Sequence, residues 1–323
     1  MIMFPLHTHL MMLEDQVRMQ AFRQAIFETV QRGAVVADIG TGTGILAYFA
    51  AQAGASRVYA IESGPIIEAA RKTADENGYW ECIRFMQGNS LEVDFPERVD
   101  VLITETVGCF GIDEGIMEVV HDARERFLKD DGIIIPQSLA LMAMPVSFEK
   151  QHPYAFLRES FFGLNTSHLA ELAANTVYSL KSANLGQMCL MAQPGQLFEA
   201  DLYKCEPAVY PLKINSEFRI ERAGDFDGVV VFPQIALTDD IDILLVQNGK
   251  PAPTHWEFTF FPNRKKVGLS IADHLEFAVT LTEKNGFVWE NRVTHNGKTN
   301  TFSHLSLFGS PSLTHLKQDM SEE

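Results

Sequence analysis

Two hydrophobic periods alternate along the first 136 residues. Over 13–32 the apolar positions fall at Leu13, Val17, Ala21 and Ala25, and again at Phe22, Ile26 and Val30. That is the three- and four-residue spacing of one amphipathic helix. Next, "AVVADIGTGTG" (34–44) is a short apolar run closed by glycines, and "ILAYFAAQAGA" (45–55) predicts a helix stopped at Gly54. "RVYAIE" (57–62) predicts a strand. "PIIEAARKTADENG" (65–78) predicts a helix, with Pro65 at its start and Gly78 past its end. "IRFMQG" and "VDVLITE" predict two more strands, "EGIMEVVHDARERFL" a helix and "GIIIP" a strand ended by Pro136. Strands alternating with helices over a hundred residues predict a doubly wound, mainly parallel α/β sheet.

Beyond Pro136 the period changes to two. "SLALMAMPVSF", "SEFRIERAG", "DGVVVFPQIAL", "THWEFTFFP", "LEFAVTLTEKNGFVWENRV" and "TFSHLSLF" are short, β-rich and broken by turn residues. They predict an antiparallel β-domain. Within that half, "QHPYAFLRESFFGLNTSHLAELAANTVYSL" (151–180) reads as mostly helical. The expected division is therefore residues 1–136, an α/β unit with leading helices, and residues 137–323, a β unit carrying a helical segment. The last residues, "KQDMSEE", are expected to fray.

Composition narrows the function. The chain has 323 residues, enough for two domains, and carries a net charge of −16. That charge disfavours a nucleic-acid backbone as partner and favours cationic ones, although an acidic surface also serves solubility. No apolar run approaches the ~20 residues of a membrane span. The N-terminus lacks the basic start of a signal peptide. Cys82, Cys109, Cys189 and Cys205 show no CxxC spacing. Free thiols in a reducing cytoplasm are the simplest reading.

Two stretches carry chemistry. "DIGTGTG" sets Asp38, Gly40, Gly42 and Gly44 between a strand and a helix. The spacing is GxGxG, without the GxGxxG cradle of a dinucleotide site. Glu62 ends the next strand, where an acid can accept two hydrogen bonds from ribose hydroxyls. The combination fits S-adenosylmethionine better than NAD. Further on, "TETVGCFGIDEG" (104–115) places Glu105 and Glu114 in a glycine-containing turn at the end of an apolar strand.

These stretches resemble the protein arginine methyltransferase family over nearly the whole chain. "VVADIGTGTGILAYFAAQAGASRVYAIE" resembles its cofactor motif, "TETVGCFGIDE" its double-glutamate loop, "THW" (254–256) its Thr-His-Trp loop and "HLMMLEDQVRMQAFRQAI" its first helices. Residues 158–180 resemble its dimerisation arm, which sets an expected arm at about 155–182. The resemblance implies a Rossmann-like domain followed by an antiparallel β-barrel, a homodimer and S-adenosylmethionine as cofactor. It implies that Arg18 pairs with the cofactor carboxylate and that Gly40 and Gly42 approach its methionine portion. Asp38, Glu62, Ser90 and Met12 complete the expected cofactor set, with Met12 near the transferred methyl. It also implies an Asp15–His255 pair.

The chain departs from the family at several positions. "MIMFPLHTH" has no tyrosine where the family has two that cover the cofactor. Thr106 and Val107 replace Trp-Met. Asp113 stands where an aromatic precedes the second glutamate, and Leu91 where an acid contacts adenine.

A guanidinium is planar and permanently charged. Two carboxylates can grip it through charge-assisted hydrogen bonds and leave one nitrogen facing a sulfonium methyl. Glu105 and Glu114 are the expected catalytic clamp. His255 is expected to accept the released proton or orient the clamp, with Asp15 holding its ring. Trp256 either walls the guanidinium by cation–π contact or packs in the core. Asp113 either binds a second cationic group or faces solvent, the plainer expectation. The expected substrate is arginine in a protein, or free arginine or a small guanidine. A non-catalytic scaffold with this fold is the competing reading, but it would have lost a clamp or ribose acid, and all are present. A lone base would mark transfer to oxygen or carbon.

Overall fold

The computed structural model describes residues 5–148, 162–182, 188–247, 250–282, 286–295 and 297–306. The expected single helix over 13–32 is two helices, α1 (Leu6–Glu14) and α2 (Gln16–Thr29). Asp15 separates them because its backbone is extended, at φ −69 and ψ 94, and its side chain accepts the Arg18 amide as an N-cap. Apolar spacing continues across the break, so periodicity alone does not reveal it. Phe22, Ala25 and Ile26 on α2 are buried.

There follow β1 (Val35–Ile39), α3 (Ile45–Ala53), β2 (Arg57–Glu62), α4 (Ile67–Glu76), β3 (Ile83–Gln87), β4 (Val99–Thr104), α5 (Ile116–Arg126) and β5 (Leu128–Ile135). The five strands form one sheet in the order β3-β2-β1-β4-β5, every pairing parallel. Its central strands are almost wholly buried, as helices on the faces of a parallel sheet require. Strand order reverses beside β1. The segments leaving the C-terminal ends of β1, β2 and β4 therefore open on one edge, where open α/β sheets bind ligands.

The second half is antiparallel. β6 (Ser138–Phe148) is followed by α6 (Ser167–Ala174), β7 (Tyr178–Leu180), β8 (Met188–Leu190), β9 (Gly195–Asp201), β10 (Leu212–Arg219) and β11 (Gly224–Ala236). Then come β12 (Asp242–Leu244), β13 (Val246–Gln247), β14 (Lys250–Pro251), β15 (Phe258–Leu269), β16 (His274–Leu281), β17 (Phe287–His295) and β18 (Lys298–Leu305). One sheet runs β7-β15-β11-β6-β8, with β9 and β12 paired to it, and a second runs β10-β16-β17-β18. The alternating burial of β16 and β17 is the expected two-residue period. β9, "GQLFEAD", is a strand the sequence pattern did not pick out.

The segment expected to be mostly helical holds an eight-residue helix, α6, and then the short strand β7. Residues 149–161, with the start of the expected dimerisation arm, lie outside the described residues.

One apolar core joins the two halves. Phe110, from the β4–α5 connection, inserts its ring among β-domain aromatics, 4.9 Å from Phe287 and 6.0 Å from Phe261 between centroids, both edge-on. Burying such a ring contributes about 2–3 kcal/mol, so the connection that carries both glutamates is anchored to the second half.

Candidate active site

Sequence locates the cofactor loop because its backbone leaves few alternatives. Gly42 has φ +53, and a Cβ there would approach the His9 ring at 3.4 Å. The Gly42 amide donates to Glu62 Oε2 at 3.1 Å, and the Gly64 amide to Oε1 at 2.7 Å. Glu62 thus ties the loop after β1 to the end of β2. Asp38 is fully buried at the end of β1 and accepts the Thr41 hydroxyl at 2.5 Å. Burial pushes its pKa up to about 7, against hydrogen bonds from Thr41 and the Ala47 amide.

His9 is a residue the sequence reading passed over. It is buried on α1 over Gly42, and burial lowers its pKa while Glu62 opposes that shift. The signal available was its position at the start of the first-helix segment that carried the resemblance. Ser90 is buried, and its carbonyl accepts from Arg126 Nη2 at 2.6 Å. Leu91 beside it is exposed. Met12 is half-buried, and its carbonyl accepts from Arg18 Nη1 at 3.3 Å.

Arg18 meets an acid of the double-glutamate loop. Its Nε and Nη2 both donate to Glu105 Oε2, at 3.0 and 2.5 Å, with both side chains nearly buried. Glu105 therefore holds a guanidinium that belongs to the chain itself. Glu114 makes no hydrogen bond or ion pair among the described residues. Its pKa lies well above the ordinary value because of burial first, then the charges of Asp113 and Glu105. The two glutamates are thus close enough to repel.

The second half closes the site. The His255 amide and Nδ1 both meet Asp15 Oδ2, at 2.7 and 2.8 Å. Burial alone would raise the Asp15 pKa, but the bonds from His255 and the Arg18 amide outweigh it and hold the group below its usual value. Trp256 is 2% exposed and donates Nε1–H to the Val107 carbonyl at 2.8 Å. Of its two expected roles the structure shows packing: it braces the double-glutamate loop, assisted by Thr259 Oγ1 donating to the Cys109 carbonyl at 3.3 Å. Asp113 does not face solvent as expected. Its carboxylate turns into its own loop and accepts the Phe110 amide at 3.2 Å.

A methyltransferase-domain family model matches residues 36–132. The protein arginine N-methyltransferase PRMT10 of Oryza sativa subsp. japonica is 36% identical over 303 residues, covering 84% of this chain and 79% of that protein. The chain belongs to the protein arginine N-methyltransferase family. Protein arginine N-methyltransferase 2 of Mus musculus is 29% identical over 292 residues, covering 87% of this chain and 65% of that protein. Two solved structures share the fold of this arginine methyltransferase family member, each at 21% identity. The Trypanosoma brucei PRMT1 enzyme-prozyme heterotetrameric complex with AdoHcy matches with a TM-score of 0.79, over 92% of this chain and 97% of that one. Arabidopsis thaliana protein arginine methyltransferase 10 matches with a TM-score of 0.78, over 94% and 98%.

The residues present fit S-adenosylmethionine, the family's cofactor. The glycine loop gives a backbone cradle that a Cβ would narrow, with Thr106 Cγ2 only 3.1 Å from such a Cβ at Gly40. Glu62 would offer an acid to the ribose hydroxyls, and Arg18 a cation to the carboxylate.

Proposed function

We propose that this chain transfers a methyl group from S-adenosylmethionine to a guanidino nitrogen of arginine. One observation carries the reading: Glu105, beside the glycine loop, already grips a guanidinium through two N–H groups. A site that holds one guanidinium in this way is chemically suited to another. Arg18, Gly40, Gly42, Glu62, Ser90 and Met12 would hold the cofactor, with His9 over the loop. S-adenosylmethionine would supply an electrophilic methyl on a sulfonium.

The chain's residues then have three tasks. Glu105 and Glu114 bind and orient the guanidinium, drawing its charge toward two N–H groups so that the third nitrogen keeps electron density. The Thr-His-Trp segment excludes water by packing over the loop. The methylated nitrogen loses one proton; Glu114 and His255, the latter fixed by Asp15, are the bases that line the site.

Arginine within a protein is the substrate we favour, since the curated relatives are protein arginine N-methyltransferases. Incubation with labelled S-adenosylmethionine and either an arginine-rich peptide or L-arginine tests this. Label in the peptide is expected. Label in the amino acid alone would move the assignment to a small guanidine, and label in neither would favour a scaffold.

We also propose the division of the chain at Pro136, and self-association through the α6 region. Phe162, Leu164 and Leu169 are exposed there at 89, 67 and 50%, more apolar surface than a free helix normally leaves in water. Sizing in solution checks that: a monomer would remove the arm. The four cysteines are free, which suits a reducing cytoplasm. Among the described residues no helix is long and apolar enough to cross a membrane.

A further inference from the structure

The turn that leaves β3 is tied at its start to the end of β2, where the Gly88 amide donates to the Glu62 carbonyl at 3.0 Å. Within the turn, Asn89 Oδ1 accepts the Leu91 amide at 3.2 Å. The Asn89 carbonyl accepts the Glu92 and Val93 amides at 2.9 and 3.1 Å. These bonds settle the amides and leave the carbonyls of Ser90 and Val93. Among the described residues no backbone amide donates to either one. Ser90 is buried, and a carbonyl left unpaired there would be costly.

The last turn of α5 supplies the missing donor. Arg126 donates from Nη2 to the Ser90 carbonyl at 2.6 Å and from Nη1 to the Val93 carbonyl at 2.9 Å. Asp122, four residues earlier on the same helix, grips that guanidinium from its other edge. Nε donates to Oδ1 at 2.7 Å and Nη2 to Oδ2 at 2.6 Å. A fork of this kind fixes the plane of the guanidinium as well as its place. The buried Phe127 ring lies 5.5 Å from the guanidinium carbon and stacks on Phe95, two residues past Val93. The Arg126 side chain is 34% exposed, so its bonds contribute modestly to stability. What they supply is direction. A lysine in its place offers one point charge and cannot serve two carbonyls and a carboxylate in one plane.

We infer that Arg126 is a positioning residue for the adenosine half of the cofactor: it latches the 89–93 turn to α5, so that Ser90 stays in register with Glu62. The inference rests on the proposed reading that Glu62 and Ser90 hold the cofactor. The two halves of that ligand meet different parts of the chain. Arg18 and the glycine loop after β1 serve the methionine half, and among the described residues Arg126 bonds neither. Loss of the latch therefore acts on the adenosine half and leaves the glutamate pair in place.

Isothermal calorimetry with S-adenosylhomocysteine and with methylthioadenosine, which carries the adenosine half without the amino acid, tests this. Arg126→Lys is expected to weaken both ligands by the same factor, about tenfold, as a charged donor is lost from a fixed carbonyl. In peptide methylation the KM for S-adenosylmethionine should rise in step, while kcat at saturating cofactor stays close to wild type. A merely structural arginine would lower the melting temperature and leave both affinities alone. That result, or a loss confined to S-adenosylhomocysteine, would overturn the inference. Glu62→Gln is the companion variant. If it weakens both ligands and Arg126→Lys weakens neither, Arg126 is removed and the reading of the site stands. A wild type that binds neither ligand would take down both. Should Arg126→Lys not fold, Asp122→Asn replaces it. That change frees the guanidinium from its orienting carboxylate, and weaker binding of both ligands is expected; unchanged binding would again overturn the inference.

Discussion

Arg18 and Glu105, 87 positions apart, form a buried ion pair in which two guanidinium N–H groups converge on one carboxylate oxygen. In the proposed function the same arginine would also meet the cofactor carboxylate. A carboxylate there would compete with Glu105 for Arg18 and leave Glu105 freer to hold substrate. Arg18→Lys keeps the charge but loses the planar fork. It should weaken S-adenosylmethionine binding about tenfold, or ~1.4 kcal/mol, by isothermal calorimetry. Unchanged affinity would show that Arg18 serves only Glu105.

Glu114→Gln removes the clamp's second charge. Turnover should fall about a hundredfold or more, since a preorganised ionic group in a water-poor site is lost, while cofactor affinity stays the same. Stability should move the other way. The folded-state pKa of Glu114 lies above its unfolded value, so ionisation at neutral pH opposes folding. The variant should therefore melt at a higher temperature than wild type near pH 7 in scanning calorimetry. A lower melting temperature would mean that Glu114 makes favourable contacts in the resting protein.

Asp38 sets a pH dependence of folding. Its pKa is about 7 in the folded chain, above the ordinary aspartate value. The native state then holds a proton that the unfolded chain has lost. This group's contribution is fully present below the unfolded pKa and fades as pH rises toward about 7. Denaturant melts of the cofactor-free protein from pH 5 to 8 should show stability falling with pH, and Asp38→Asn should flatten part of that slope. An equally steep slope in the variant would place the titrating group elsewhere; Asp113, raised to about 6, is the first alternative.

Trp256→Phe keeps the ring but deletes the N–H that satisfies the buried Val107 carbonyl. An unsatisfied buried acceptor costs about 1–3 kcal/mol. The melting temperature should fall by a few degrees, and kcat should fall more than cofactor affinity, because the brace acts on the glutamate loop. Normal kcat in a destabilised variant would separate the brace from catalysis.

Asp15 and His255, 240 positions apart, join α2 to the second half. Asp15→Asn retains a capping side chain, so its main loss is the charged partner of the imidazole. A double-mutant cycle with His255→Gln should return a coupling of about 1 kcal/mol in chemical denaturation. Additive losses would mean the pair is incidental.

The parallel sheet was legible because each element states its own period. β1 to β5 are apolar runs separated by helices with glycine and proline at their ends, and local rules suffice for these. The family was legible from "TETVGCFGIDE" and "THW" together. Less was legible where a boundary or an orientation depends on distant atoms. Asp15 breaks a helix whose apolar spacing runs on, and β9 has no clean alternation. Asp113 carries a side chain suited to water, yet it turns inward because Gly108 leaves room and the Phe110 amide needs an acceptor.

By itself, then, the sequence determined which residue types stand at the end of each strand: the glycines after β1, the acid after β2, the glutamate pair after β4. Those are local properties, set by hydrophobic period and backbone freedom. Only the tertiary structure decided what each charged group meets. Arg18 finds Glu105, Asp15 finds His255, and Trp256 finds Val107 over 87, 240 and 149 positions. Such pairings depend on how two separately patterned halves close on one another, and no spacing along the chain encodes that closure.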